Sequence, residues 1–360
     1  MSRFVLGNVG WLGCGLAAAL WTVAASAGEV RFEAEGHAES PSWSKDGKYL
    51  AFEVNNLADK VDLYISSVSG QVANDAKRVS LPGGSNPFAM SGSVLTHAVW
   101  HPEGVLVFEG SNQGGQMRLY YVVNGSTAAS EYISVSDLGG DLTFPRISPD
   151  GNYLMFVADI TGNGDVRSFE RMTSKLGQVT QSSYSEMYPE FSVNGKTVLF
   201  TRKRNNAEDV FTMPFSGGES KLVMGGPGDQ TRPTFGEEGR VLFYDGARGD
   251  GKWDLVSVAA SGEKKTIARS VRMPTRTRPA VSPDGEWVAY TYDDPTKSGS
   301  VFVSRTDGTD TVQIASNYEA CGEPAIGFQG GSVLLAYSAL KSKGADWRFL
   351  HVEDITARLK

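Results

Sequence analysis

The four histidines of the chain are His37, His97, His101 and His351. His97 and His101 are four residues apart, a spacing that can bind zinc when both rings lie on one helix face. The residues around them, THAVWHPEG, follow a strand and a turn, so the two rings are not expected to share a metal. Asp159, Asn163 and Asp165 have the oxygen spacing that opens a calcium loop, without the glutamate that would complete it. A solvated hairpin loop is the expectation there. No Gly-x-Ser-x-Gly elbow occurs, so the nucleophile of an α/β-hydrolase is missing. Cys321 is the only cysteine after residue 27 and reads as a small buried core residue. The expectation is therefore a protein that is not an enzyme, with no catalytic residue, metal or cofactor.

Side chains suited to binding collect elsewhere, beside a proline that recurs through the sequence. They are His97, Phe144, Arg146, Tyr188, Glu190, Arg232, Arg278 and Glu323. Arg276 joins them from a basic run, Arg269–Arg278 (RSVRMPTRTR), in an otherwise acidic protein. The long stretch PGGSNPFAMSGSVL adds Phe88 and Met90. An acidic peptide or a carboxylate-bearing wall component would suit the side of Arg232, Arg276 and Arg278.

The recurring proline belongs to a unit repeated seven times. It runs from Pro41 (PSWSKDGKYLAF), Ala98 (AVWHPEGVLVF), Pro145 (PRISPDGNYLMF), Pro189 (PEFSVNGKTVLF), Pro233 (PTFGEEGRVLFY), Pro279 (PAVSPDGEWVAY) and Pro324 (PAIGFQGGSVLLAY). The turn glycines Gly47, Gly104, Gly151, Gly195, Gly239, Gly285 and Gly330 are spaced by 57, 47, 44, 44, 46 and 45 residues. Proline suits an extended entry that lacks one N–H, and Asp-Gly or a variant suits a tight hairpin. The apolar residue two places after the proline (Trp43, Trp100, Ile147, Phe191, Phe235, Val281, Ile326) can plug the space between neighbouring sheets. An apolar second strand, a third strand such as VDLYISSV or WDLVSVA, and usually a short outer strand complete each unit. Four strands per period of about 45 residues predict an all-β, seven-bladed β-propeller. Two-fold alternation with internal Gly and Pro excludes an α-solenoid of similar period.

The seventh unit ends soon after its third strand, while VRFEAEG (Val30–Gly36) precedes the first unit. We expect this N-terminal strand to complete the last blade and close the ring, with ITARL near the C-terminus as the alternative donor. Residues 1–27 carry one charge, Arg3, an apolar stretch and a closing Ala25-Ser26-Ala27. They read as a signal peptide, against an uncleaved anchor or a lipidated Cys14 in Trp11-Leu12-Gly13-Cys14. Residues 28–360 then form a single propeller domain, with no membrane span after cleavage. The formal charge of −7 becomes −8 without Arg3, which argues against nucleic acid as a partner.

The units resemble the repeat of the TolB family, roughly Pro-x-Trp-Ser-Pro-Asp-Gly-x-x-aliphatic-Ala-Phe followed by an Ile-Tyr strand. Trp43-Ser44, Asp46-Gly47 and Ala51-Phe52 match it, as do Ser148–Gly151, Ser282–Gly285, Leu63-Tyr64 and Leu119-Tyr120. The likeness spans about residues 30–355. It departs from the family in blade number, seven against six, and in having one strand rather than an α/β domain before the first blade. The resemblance implies a periplasmic, monomeric scaffold that binds an envelope protein such as a peptidoglycan-associated lipoprotein on its loop-lined face. The alternative is a carbohydrate-active propeller, either a polysaccharide lyase or a glycan-binding protein.

Overall fold

A computed structural model describes residues 28–56, 60–82, 94–111, 115–123, 125–132, 135, 138–314, 318–342 and 349–360. The expected signal sequence with Cys14, and Phe88 and Met90 of the first long loop, lie outside the described residues. Among the described residues no helix is long and apolar enough to cross a membrane.

Seven antiparallel sheets follow one another in sequence order, each with its inner strand first. The inner strands of blades 1 to 7 are His37–Trp43, Leu95–Trp100, Asp141–Ile147, Ser185–Phe191, Gln230–Phe235, Ala280–Val281 and Ala320–Gln329. The proline-led repeat thus supplies the inner strand, the turn and the buried second strand of every blade. Blade 7 is built from Ala320–Gln329, Ser332–Leu340 and Phe349–Asp354, and its outermost strand is Glu29–Val30. Glu29 pairs with His351 and Val30 with Leu350. The ring is closed by the N-terminal donor, as expected, although only two residues pair. The other candidate, ITARL, forms a short 3₁₀ turn over Thr356–Arg358 instead.

A serine three places before the turn glycine builds four of the hairpins. In blade 1 the Ser44 hydroxyl donates to Asp46 at 2.8 Å and accepts the Tyr49 N–H at 2.9 Å. Asp46 in turn accepts the Lys48 N–H at 3.1 Å, and Gly47 takes the left-handed φ of 67° that the turn requires. Ser148, Ser192 and Ser282 repeat the arrangement with Asp150, Asn194 and Asp284.

The apolar core is divided into seven seams between neighbouring sheets. Each expected plug residue lies in the seam with the preceding blade. Trp43 donates its indole N–H to Ala325 O of blade 7 at 3.2 Å, and Trp100 donates to Ser42 O of blade 1 at 3.0 Å. The Trp43 ring approaches so closely that a Cβ on Gly327 would lie 2.5 Å from it, which makes glycine obligatory there.

Val30 is 1% exposed in the seam joining the first and last blades. Val30→Asp is expected to cost roughly 3 kcal/mol, because it buries an unpaired carboxylate. Glu29→Gln, at a side chain whose pair with Lys341 is partly exposed, should cost much less. Urea-unfolding midpoints of the two variants check this; equal midpoints would mean that the terminal strand does not hold the ring.

Candidate functional site

Six of the seven inner strands carry the same backbone irregularity, centred on the residue before the motif Pro or Ala. Ser40, His97, Phe144, Tyr188, Arg232 and Glu323 all have φ between 46° and 56°, a region that costs side-chain-bearing residues about 1–2 kcal/mol. Each is the first residue of a β-bulge, in which two residues face one on the second strand. The single residue opposite is always aromatic: Phe52, Phe108, Phe156, Phe200, Phe243 and Tyr337, all at most 1% exposed. Local strain is accepted because the bulge makes room for the ring that fills the blade.

The bulge turns an N–H away from its own sheet, and the preceding blade supplies its acceptor in several cases. His97 N donates to Glu53 Oε1 at 3.0 Å, and Phe144 N donates to Glu109. Arg232 N donates to Thr201 Oγ1 at 3.1 Å, and Ser40 N to Glu323 Oε2 at 2.7 Å. Five of the six bulge residues are among those marked in the sequence, on the sole ground that polar and aromatic types gather beside the proline. Sequence reasoning missed Ser40 and the acceptors Glu53 and Glu109, although both glutamates directly follow the motif phenylalanine.

The predicted site residues come together around the central channel in two arcs. His97, Phe144 and Tyr188 from blades 2, 3 and 4 meet in succession, the first pair edge-to-face and the second tilted, with ring centroids 4.9 and 4.5 Å apart. The guanidinium carbons of Arg232 and Arg278 lie 5.2 and 5.8 Å from the Tyr188 ring centre. His97 Nδ1 lies 3.0 Å from Glu109 Oε2. The second arc is charged: Glu39, Glu53 and Glu323 on blades 1 and 7, with Arg276 between them. Beside these, Arg146 Nε meets Glu190 Oε2 at 2.9 Å, and Arg278 Nε lies 3.6 Å from the same oxygen. A cavity lined by Trp43, Glu53, His97, Arg146, Glu190 and Arg276, among others, opens along this wall.

The arginines are not presented to solvent as the sequence suggested. Arg232 and Arg278 are each 8% exposed. Arg232 donates to the carbonyls of Pro274, Thr275 and Thr277, and Arg278 donates to Pro189 O at 2.7 Å. Arg276 Nη1 reaches Glu39 Oε1 at 2.9 Å and Glu53 Oε2 at 3.3 Å. The expectation of an acidic peptide held by these three side chains is therefore corrected: buried acids and carbonyls of the protein itself already occupy them. Basic runs read as surface because lysine and arginine usually are; here the segment folds inward.

Among the described residues no group of three or more His, Cys, Asp or Glu is arranged to hold a metal. His101 is buried and receives the turn of blade 3, with Nε2 2.9 Å from Gly151 O. His351 faces the seam between blades 6 and 7, 3.2 Å from the Tyr318 hydroxyl, where burial lowers its basicity. The Asp159 loop is an internally bonded hairpin, with Asp159 Oδ1 accepting the Gly162 N–H at 2.8 Å.

Burial pushes the Glu53 carboxyl well above its ordinary 4.5, opposed by Arg276 and reinforced by Glu323 and Glu39. Burial also raises Glu39, with Glu323 adding to it, and raises Glu190 against the pull of Arg146. A carboxyl raised in the folded state stabilises the fold below its unfolded pKa, and loses that contribution as pH climbs through the folded value. Stability is thus expected to fall as pH rises from about 4.5 towards neutrality from these groups, with a shallower slope in Glu53→Gln. Urea midpoints across that range test this, and parallel slopes would show that Glu53 does not titrate there.

Two overlapping stretches of the sequence, residues 18–208 and 142–358, match the family model of the TolB beta propeller domain. Solved structures share the fold at low identity. TolB from Acinetobacter baumannii is 16% identical with a TM-score of 0.55, covering 78% of this chain and 66% of its own. An oligogalacturonate lyase from Vibrio parahaemolyticus is 11% identical with a TM-score of 0.58, covering 91% and 92%. A puromycin hydrolase is 15% identical with a TM-score of 0.61, covering 89% of this chain and 54% of its own. Identities this low speak for the fold alone. With the family model spanning almost all of the seven blades described above, the chain belongs to the TolB beta propeller domain family.

Proposed function

We propose that this propeller is a non-enzymatic scaffold of the cell envelope, exported to the periplasm by residues 1–27, which docks a protein partner at its channel mouth. The supporting observation is the mixed wall of the channel: an arc of aromatic rings in contact from His97 to Tyr188 beside a charged arc. Rigid aromatics next to fixed charges are the composition of protein-docking hot spots. The ring holds them on inner strands, and their half-buried edges cost little entropy to engage. The carboxylates around the channel hold arginines and backbone N–H groups, a positioning role rather than proton transfer. Family resemblance makes a peptidoglycan-associated lipoprotein the first partner to test.

The test is crosslinked capture from envelope extracts with the intact protein and with a Phe144→Ala, Tyr188→Ala double variant. A discrete protein should be recovered, reduced at least fivefold with the folded variant, as expected for loss of about 1–2 kcal/mol of contact. Retention on a polysaccharide array without any protein partner would favour the carbohydrate-active reading instead.

A further inference from the structure

Blade 6 departs from its six counterparts in the length of chain that leads into its inner strand, although Met273 of that chain still packs against the seam with blade 5. Val271 pairs with Tyr292 and the Arg272 N–H donates to Thr291 O, but the ladder resumes only at Ala280 opposite Ala289. In the other blades two residues span the bulge opposite the buried aromatic. Here Arg278 and Pro279 would suffice opposite Tyr290, so Met273–Thr277 are five residues in excess. Removing them joins Arg272 to Arg278-Pro279 and regenerates the common pattern.

The extra residues form a strap bound to blades on both sides. Glu323 of blade 7 accepts the Thr275 N–H at 3.0 Å, and Arg232 of blade 5 takes three strap carbonyls. Arg276 reaches Glu39 and Glu53 of blade 1, which is not a neighbour of blade 6. A segment touching blades 5, 7 and 1 lies across the channel. Its contacts are those that recognise an extended peptide: one backbone N–H, three backbone carbonyls and one cationic side group. Glu39 and Glu53 pair with the Arg276 guanidinium and Glu323 accepts the strap's N–H, so a seat emptied of the strap holds three carboxylates against the one guanidinium of Arg232 and fits a cation.

We propose that Met273–Thr277 is an autoinhibitory strap, holding in cis the channel seat of an extended partner segment that carries an arginine. This rests on the docking reading above, and it reverses the charge first expected of the partner. The strap must leave before that segment enters, so the intact protein binds it weakly and a strapless protein binds it well.

The test uses the full-length protein with Met273–Thr277 deleted, and a synthetic peptide Arg-Met-Pro-Thr-Arg-Thr-Arg with blocked ends. By calorimetry, the deletion variant should bind the peptide at least tenfold more tightly than the intact protein. Replacing the peptide's central arginine by alanine, or introducing Glu39→Gln with Glu53→Gln in the protein, should remove at least tenfold. No binding to a folded deletion variant, or equal binding of the alanine peptide, overturns the proposal. Should the deletion not fold, Arg276→Ala in the intact protein replaces it: millimolar ethylguanidinium should raise its thermal midpoint and not that of the unaltered protein. Absence of that rescue likewise overturns the proposal. Envelope capture separates the two readings. A partner recovered equally by intact and strapless forms keeps the docking reading and sinks the strap, whereas peptide binding with no envelope partner does the reverse.

Discussion

The channel wall depends on the packing, in six of the seven blades, of one aromatic ring against a strained two-residue bulge. Phe52 and its counterparts are too large for a regular inner strand to pass over, so the backbone gains a residue opposite each one. The left-handed conformation this requires costs about 1–2 kcal/mol per bulge, and burial of a full aromatic side group, about 1.5–3 kcal/mol, offsets it. The same bulge frees an N–H, which a carboxylate or hydroxyl of the preceding blade accepts. One packing demand therefore produces the blade core, the blade-to-blade stitch and the direction of the channel-facing residues.

The seams extend that logic around the ring. Because the core lies between sheets, no blade can bury its apolar faces alone, and stability depends on closure. The pairing of Glu29–Val30 with the last blade satisfies an edge that would otherwise be open. A rigid closed ring can then tolerate an unusual segment in one blade. Met273–Thr277 leave Val288 and Tyr290 of the second strand buried, and Met273 itself packs against their seam.

Charge in the channel follows from burial as much as from composition. Glu53 and Glu190 sit where water is scarce, so each is held by an arginine or a backbone donor. Arg232, Arg276 and Arg278 are drawn inward by the same need. An acidic protein with a local basic run suggested an exposed cationic patch, yet the run supplies the counter-ions of the protein's own interior.

The sequence alone determined the seven-fold repeat, the turn glycines, the seam plugs and the N-terminal closing strand. These are local or periodic features: a hairpin glycine, an alternating strand, a large apolar residue at a fixed offset from proline. It also marked the bulge residues as a group, because they adjoin that proline. Their left-handed backbone was not legible, since Ser, His, Phe, Tyr, Arg and Glu share no local preference for it; the demand comes from an aromatic on the next strand. The strap was hidden for another reason. The spacing from Gly239 to Gly285 is 46 residues, within the range of the other units, because the outer strand of blade 5, Lys264–Val271, runs into blade 6 without the loop that makes this connection in blades 3 and 4. Only the tertiary structure decided where Arg276 goes, because its partners Glu39 and Glu53 lie 237 and 223 residues away and meet it only when the ring is closed.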